Sequence, residues 1–285
     1  MTEEYNFLKY ICIIVLILGL LSDKNFLPNP FIRLILQIII LFVLIFFEEL
    51  DIKSISIDYI DELLSIRLFN IFFTLFCFAV LINGSNFLDG LNGLLSGYYL
   101  LVLSSFLYIG IFSYDVQLDS LKLVFTVLSI LLIFFIFNIF GVVYLGDSGS
   151  YIISLIVGYL LINGHQQNIY ISPYYIVLTL WYPAFENLFS LIRRLYNKNN
   201  VSSADKLHLH QLIYRYFGLK KIIGKTKLNT FTSFTILIFN LPIFIIASLN
   251  YSHTSTLVSI IIINVIFYLF LYLYLVRKLS VKNSN

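Results

Sequence analysis

Long runs of apolar residues, unbroken by charge, decide most of what this chain can become. Segments such as "LILQIIILFVLIFF" and "LVSIIIINVIFYLFLYLYLV" carry more apolar surface than a soluble domain can hide. In a bilayer only α-helices and closed β-barrels satisfy their own backbone hydrogen bonds. Barrel strands alternate apolar and polar residues, whereas these runs are continuously apolar. The expected fold is therefore all-α, a polytopic integral membrane bundle of about nine transmembrane helices near Leu8–Leu21, Phe31–Phe47, Leu68–Ile82, Leu94–Phe112, Leu121–Phe140, Tyr151–Ile162, Tyr174–Ile192, Phe231–Leu249 and Leu257–Val276. Several of these runs fall short of the about 20 residues a perpendicular helix needs. Their polar flanks are thus expected at membrane depth, or the helices tilt.

With 60% hydrophobic and 12% charged residues, no polar stretch is long enough to carry a core of its own, so residues 1–285 read as one membrane domain. The net charge of +3 gives no reason to expect nucleic acid. Cys12 and Cys77 lie inside apolar runs and say nothing of redox compartment. The start "MTEEYNFLK" is acidic, which argues against a cleaved secretory signal. With the N-terminus outside and the C-terminus cytoplasmic, all of the 18 Lys and Arg residues except Lys9, Lys53, Arg67 and Lys122 fall on the inward side. The positive-inside rule selects that orientation. It places a basic loop at about 193–228 in the cytoplasm and the acidic segment "EELDIKSISIDYIDELLSIR" outside, as a solvated loop with an interfacial helix.

Four polar clusters interrupt the apolar pattern: "LLSDKNFLPNP" with Asp23, "NGSNFLDGLNG" with Asp89, "VVYLGDSGSY" with Asp147, and "SSADKLHLHQL" with Asp205, His208 and His210. They follow the first, third, fifth and seventh spans, so all four face one side. Plainer readings exist for each. Asp23 and Asp205 could be helix caps, and histidines two apart do not share a helix face. Gly-Asp-Ser-Gly-Ser leading into a helix could be a cap and a turn, but it also has the form of a phosphate-cradling N-terminus. A carboxylate beside a phosphate calls for a divalent cation between them.

The stretch "NGSNFLDGLNGLLSG" carries Asn83, Asn86, Asp89 and Asn92 at every third position, so on a helix they wind around the axis instead of forming one seam. With Gly84, Gly90, Gly93 and Gly97 among them, the pattern suits an irregular entrance lining a wet cavity. Close helix packing over small residues is the alternative. An aspartate at membrane depth favours a site.

In order and spacing, "NGSNFLDGLNGLLSG", "YLGDSGSY" and "FENLFSLIRRL…SSADKLHLHQL" resemble the polyprenyl-phosphate N-acetylhexosamine-1-phosphate transferases, the membrane enzymes of glycosyltransferase family 4. The resemblance runs from about Leu18 to Gly218. It implies transfer of a sugar 1-phosphate from a UDP-N-acetylhexosamine to undecaprenyl phosphate, with release of UMP and with Mg²⁺ or Mn²⁺ as cofactor. It further implies a multi-pass protein of the bacterial inner membrane, surrounded by membrane lipids, with its active site on the cytoplasmic face and room for a homodimer. Carried over residue by residue, Asp147 and Asp89 match metal-binding aspartates, and Asp23, Asp89, His208 and His210 match catalytic positions. Asn83, Asn86, Asn92, Arg193, Arg194 and Asp205 match substrate-binding ones.

The chain departs from that pattern in places. Ser22 stands where the family usually has the first Asp of a pair, Asn92 where it has the second Asp of DGxDG, Gln211 where a further His is common, and Glu186-Asn187 where Asp-Thr is usual. The family's usual first two helices have no counterpart in this sequence. An inactive relative that binds lipid phosphate is one alternative. A transporter is a second, disfavoured because no inverted repeat links the halves and the polar groups crowd one face.

Overall fold

The computed structural model describes residues 5–113, 120–196, 207–221 and 223–281. Among the described residues the chain forms helices and no strand. In order they are α1 (Asn6–Asp23), α2 (Pro30–Phe47), α3 (Asp58–Leu64), α4 (Arg67–Leu88), α5 (Leu94–Phe112), α6 (Leu121–Ile139), α7 (Gly146–Gln167), α8 (Pro173–Thr179), α9 (Trp181–Tyr196), α10 (Leu209–Lys220), α11 (Lys225–Leu249) and α12 (Thr254–Val281). Eight of the nine expected spans each fall on one of these helices, and the protein is a multi-pass membrane helix bundle. Among the described residues seven helices are long and apolar enough to cross a membrane: α1, α2, α4, α5, α6, α11 and α12. The run Tyr151–Ile162 lies inside α7, whose two ends are polar. This helix is central instead, packing on α1 and α4, with Leu155, Val157, Leu160 and Leu161 wholly excluded from solvent.

The run Tyr174–Ile192, expected as one span, is two helices, α8 and α9, bent by 73°. The cause is Pro183. It has no N–H to give the carbonyl four residues earlier and its ring crowds that carbonyl. The carbonyl in question, Thr179 O, accepts instead from the Tyr98 hydroxyl of α5 at 2.9 Å. The break is therefore satisfied inside the bundle, as non-helical backbone at membrane depth must be.

Two further local causes place the site. Asn29 accepts from the Phe31 amide at 2.9 Å and Pro30 supplies the first helical residue, so α2 starts sharply and carries Arg33 in its first turn. The helical part of the asparagine-rich stretch reaches Leu88, further than the irregular entrance expected there, and only residues 89–93 leave helical form before α5 begins. Close packing explains the extension. A Cβ at Gly84 would lie 2.0 Å from the Pro183 carbonyl oxygen, so only glycine lets α4 and α9 approach this closely. The acidic segment between α2 and α4 contains the expected short helix as α3.

Candidate active site

The N-terminus of α7 gathers three of the four clusters. Like every helix start it presents unsatisfied backbone N–H groups, and here side chains from other segments meet them. Asp23, at the end of α1, accepts from the amides of Asp147 at 2.7 Å and Ser148 at 3.1 Å, and from the Ser148 hydroxyl at 2.8 Å. Asp89, just past the end of α4, accepts from the Gly146 amide at 2.9 Å. The cradle read as suited to a phosphate thus holds two carboxylates. Gly146 is required at this point: its φ is +63°, and a Cβ there would meet both Asp23 oxygens at 2.9 Å.

Asp147, in the first turn of α7, is ringed by donors. Arg33 Nη1 reaches its Oδ2 at 2.8 Å, the Tyr151 hydroxyl reaches the same oxygen at 3.3 Å, and Asn86 Nδ2 donates to Oδ1 at 2.6 Å. The Ser22 hydroxyl also donates to Oδ2, and Arg33 Nη1 in turn donates to Ser22 Oγ at 2.5 Å. Where the family usually carries a carboxylate, Ser22 thus supplies a donor to Asp147. Three carboxylates against one guanidinium leave this helix end negative. Burial, with Asp147 and Asp23 adding to it, pushes the Asp89 carboxyl up to about 7, against the opposing hydrogen bond from Gly146.

The histidines form a second region beside the first. His208 and His210, at the start of α10, stack with ring planes 6° apart and centroids 5.5 Å apart, and Phe87 lies against His208 at 4.5 Å. His210 Nε2 is 3.7 Å from where a Gly90 side chain would begin, so this pair borders the residue next to Asp89. Glu186 of α9 anchors it. The buried carboxylate lies 2.9 Å from His208 Nδ1 and accepts from the Leu209 amide at 2.7 Å and the Tyr268 hydroxyl of α12 at 2.8 Å.

The remaining candidates lie around these regions. Asn83 donates to Gln37 of α2 at 3.2 Å and to the Ala79 carbonyl at 2.8 Å, below Asn86 on α4. The Asn92 amide donates to Asn229 of α11 at 2.6 Å. Arg193 donates to the Leu207 carbonyl at 3.1 Å and the Tyr272 hydroxyl at 2.8 Å, strapping the approach to His208 onto α9 and α12. Arg194 is half-buried on the same turn. Asp205 lies outside the described residues. Sequence reasoning missed Arg33, counted only as an inward charge, and Asn138. The latter accepts from the Gly93 amide at 2.8 Å and donates to the Val143 carbonyl at 2.8 Å, tying the Asp89 turn to the approach to α7.

Among the described residues no three carboxylate, imidazole or thiolate groups converge as a closed metal cage does. The donor chemistry nevertheless fits Mg²⁺, a hard ion commonly held by one or two carboxylates and completed by water and substrate phosphate oxygens. Asp147 and Asp89 are the residues that would hold it.

A model of glycosyl transferase family 4 matches residues 7–165, which run from α1 to the end of α7 and include Asp23, Asp89 and Asp147. The chain is 26% identical over 208 residues to a probable undecaprenyl-phosphate N-acetylglucosaminyl 1-phosphate transferase of Bacillus subtilis, covering 72% of this chain and 57% of that one. It is 30% identical over 213 residues to the undecaprenyl-phosphate alpha-N-acetylglucosaminyl 1-phosphate transferase of Escherichia coli K12, covering 71% and 56%. A Thermotoga maritima protein of the same description is 29% identical over 157 residues, covering 55% and 47%. The chain therefore spans little more than half the length of the first two relatives.

Proposed function

The chain belongs to glycosyl transferase family 4, and on that premise we propose that it transfers N-acetylhexosamine 1-phosphate from a UDP-sugar to undecaprenyl phosphate. N-acetylglucosamine, named for its relatives, is the first sugar to test. An oxygen of the lipid phosphate attacks the sugar-bearing phosphorus of the nucleotide sugar. The bond from that phosphorus to the oxygen of UMP breaks, one phosphoanhydride replaces another, and UMP leaves with the electron pair. The observation that carries the reading is the meeting of Asp23, Asp89 and Asp147, from three separate segments, on one helix end.

Bringing two anions together is the main obstacle, and positioning with charge compensation supplies much of the rate in phosphoryl transfer. Mg²⁺, held by Asp147 and Asp89, would neutralise diphosphate charge. Arg33 adds a fixed cation beside Asp147, and the buried histidine pair borders the Asp89 turn. The lipid phosphate is already largely anionic near neutral pH, so it needs little activation. Asp23 holds the α7 turn, and the family resemblance makes it the candidate for handling the lipid phosphate. A cavity of about 320 Å³ between α4, α7, α8, α9 and α12, lined by Cys77, Leu81, Gly158, Trp181, Phe185 and Ile261, is apolar, but it lies along α4 and α7 away from the ends that carry Asp89 and Asp147.

The site is assigned to the cytoplasmic face of the bacterial inner membrane, on the charge asymmetry of the connections. In a background lacking Cys12 and Cys77, a cysteine at Ser148 should react with impermeant thiol reagents only from the cytoplasm, and one at Ser56 only from outside. The reaction is tested by incubating purified protein with labelled UMP, UDP-N-acetylglucosamine and undecaprenyl phosphate. Label should pass into the nucleotide sugar only with a divalent cation. Folded protein that exchanges no label with any UDP-hexosamine would overturn the proposal.

A further inference from the structure

Glu186 does more than fill a space in the bundle. Its carboxylate is almost completely excluded from solvent, with 1% of the side chain exposed, yet it is matched donor for donor. Oε1 takes the Leu209 amide and the Tyr268 hydroxyl, and Oε2 takes His208 Nδ1. The Leu209 amide is one of the unsatisfied donors of the first turn of α10, and His208 makes no side-chain cap of its own. One carboxylate from α9 therefore caps α10, ties it to α12 and engages the ring of the residue that starts it.

The chemistry of the pair fixes a proton. An amide N–H can only donate, and imidazole is more basic than a carboxylate by about two pK units in reference compounds. The hydrogen between Oε2 and Nδ1 therefore sits on the ring. We infer that Glu186 is a positioning residue that keeps the His208 hydrogen on Nδ1, so that Nε2 carries the lone pair and takes up the residual proton of the lipid phosphate as that phosphate attacks. A hydrogen-bonded partner of this kind sets which imidazole nitrogen works. The stacking of His208 between Phe87 and His210 holds the ring plane, and Glu186 holds the rotation within that plane. The catalytic part of this inference rests on the transfer reaction proposed above, whereas the assignment of the hydrogen does not.

Glu186→Gln separates positioning from mere support, because glutamine keeps the shape and can still satisfy every group. Its Oε1 can accept from Leu209 and Tyr268 while its Nε2H₂ donates toward His208. That donation turns Nδ1 into an acceptor and drives the ring hydrogen onto the other nitrogen, where it blocks proton uptake. With ¹⁵N-histidine labelling, four imidazoles must be assigned. At pH 8 the wild-type protein should show His208 protonated at Nδ1, and Glu186→Gln should show Nδ1 unprotonated. Turnover in the exchange assay should fall roughly 10- to 100-fold, with KM for the UDP-sugar and the melting temperature nearly unchanged. Tyr268→Phe, which removes a donor from Glu186 without touching the ring, should keep the wild-type nitrogen pattern and lose at most about threefold in turnover. An unprotonated Nδ1 in the wild type, or Glu186→Gln with an unchanged nitrogen pattern or unchanged turnover, would overturn the inference. Wild-type protein with Nδ1 protonated but no exchange activity would instead sink the transfer reaction and leave the assignment of the hydrogen standing.

Discussion

At the head of α7 three carboxylates lie near the surface and meet backbone amides, hydroxyls and one arginine. Around Glu186 a single carboxylate is buried and meets three donors from two other helices. The difference can be read in exposure, 22% for the Asp147 side chain against 1% for Glu186. A charge near water can exchange partners at small cost, whereas a buried charge stripped of its partners has nowhere to turn. The first region is open enough to exchange its partners. The second is built so that a ring cannot move. Substitutions should accordingly cost activity in the first region, while the carboxylate of the second also carries stability.

The largest expected effect is on folding. Glu186→Ala leaves His208 Nδ1, the Leu209 amide and the Tyr268 hydroxyl without their acceptor, and removing one partner of a buried pair costs about 3–5 kcal/mol. Unfolding in detergent with a denaturant series measures it. A loss below about 1 kcal/mol would show that water reaches this region and would erase the contrast.

Next comes Asp147→Asn. It keeps the shape of the side chain but removes the charged oxygen that Mg²⁺ prefers, so exchange activity should fall by roughly two orders of magnitude, equivalent to about 2.7 kcal/mol. Because Asp147 is partly exposed, its pairing with Arg33 should be worth less than about 1 kcal/mol of stability. Near wild-type activity with unaltered Mg²⁺ dependence would move the cation away from Asp147.

The same contrast explains what the sequence made legible. The Asp147 region is written in short motifs at helix ends, and Asp23, Asp89 and Asp147 each stand out as charge among apolar residues. Their shared side follows from the parity of the spans, which suggests convergence without fixing it. Arg33 was hidden because an inward arginine has a sufficient explanation in topology, and only the sharp start of α2 aims it at Asp147. The Glu186 region joins α9, α10 and α12, and nothing local to "FENL" announces a partner 22 residues away in "HLH". The bend at Pro183 was likewise masked, since an apolar run reads as one helix until the proline's lost hydrogen bond is counted. Asn83 shows the converse, an asparagine in a promising pattern that spends its amide on Gln37 and its own helix.

A smaller effect follows from Asp89. Burial raises its carboxyl from an ordinary 3.8 to about 7. Between those values the folded chain holds a proton that the unfolded chain has released, so stability falls as pH rises through this window. In chelator, Asp89→Asn should leave stability near pH 4 almost unchanged and raise it at pH 8 by on the order of 2 kcal/mol, allowing for partial solvent access. Melting temperatures across pH, with and without Mg²⁺, check this. A variant that is less stable than wild type at pH 8 in chelator would show that the Gly146 bond outweighs burial.

The smallest effect is expected at Asp23, although it makes as many hydrogen bonds as Glu186. Its three partners are two helix-end amides and a hydroxyl at the surface, all of which water can also serve. Asparagine caps a helix about as well as aspartate, so Asp23→Asn gives up mainly the attraction between a carboxylate and the positive end of α7, about 0.3–1 kcal/mol. Stability should therefore change by less than about 1 kcal/mol. A loss of activity that grows as undecaprenyl phosphate is lowered, with KM for the UDP-sugar unchanged, would assign Asp23 to the lipid substrate. Destabilisation approaching that of Glu186→Ala would mean instead that the head of α7 is clamped as firmly as the histidine pair, and the division between an open ionic region and a closed one would fail.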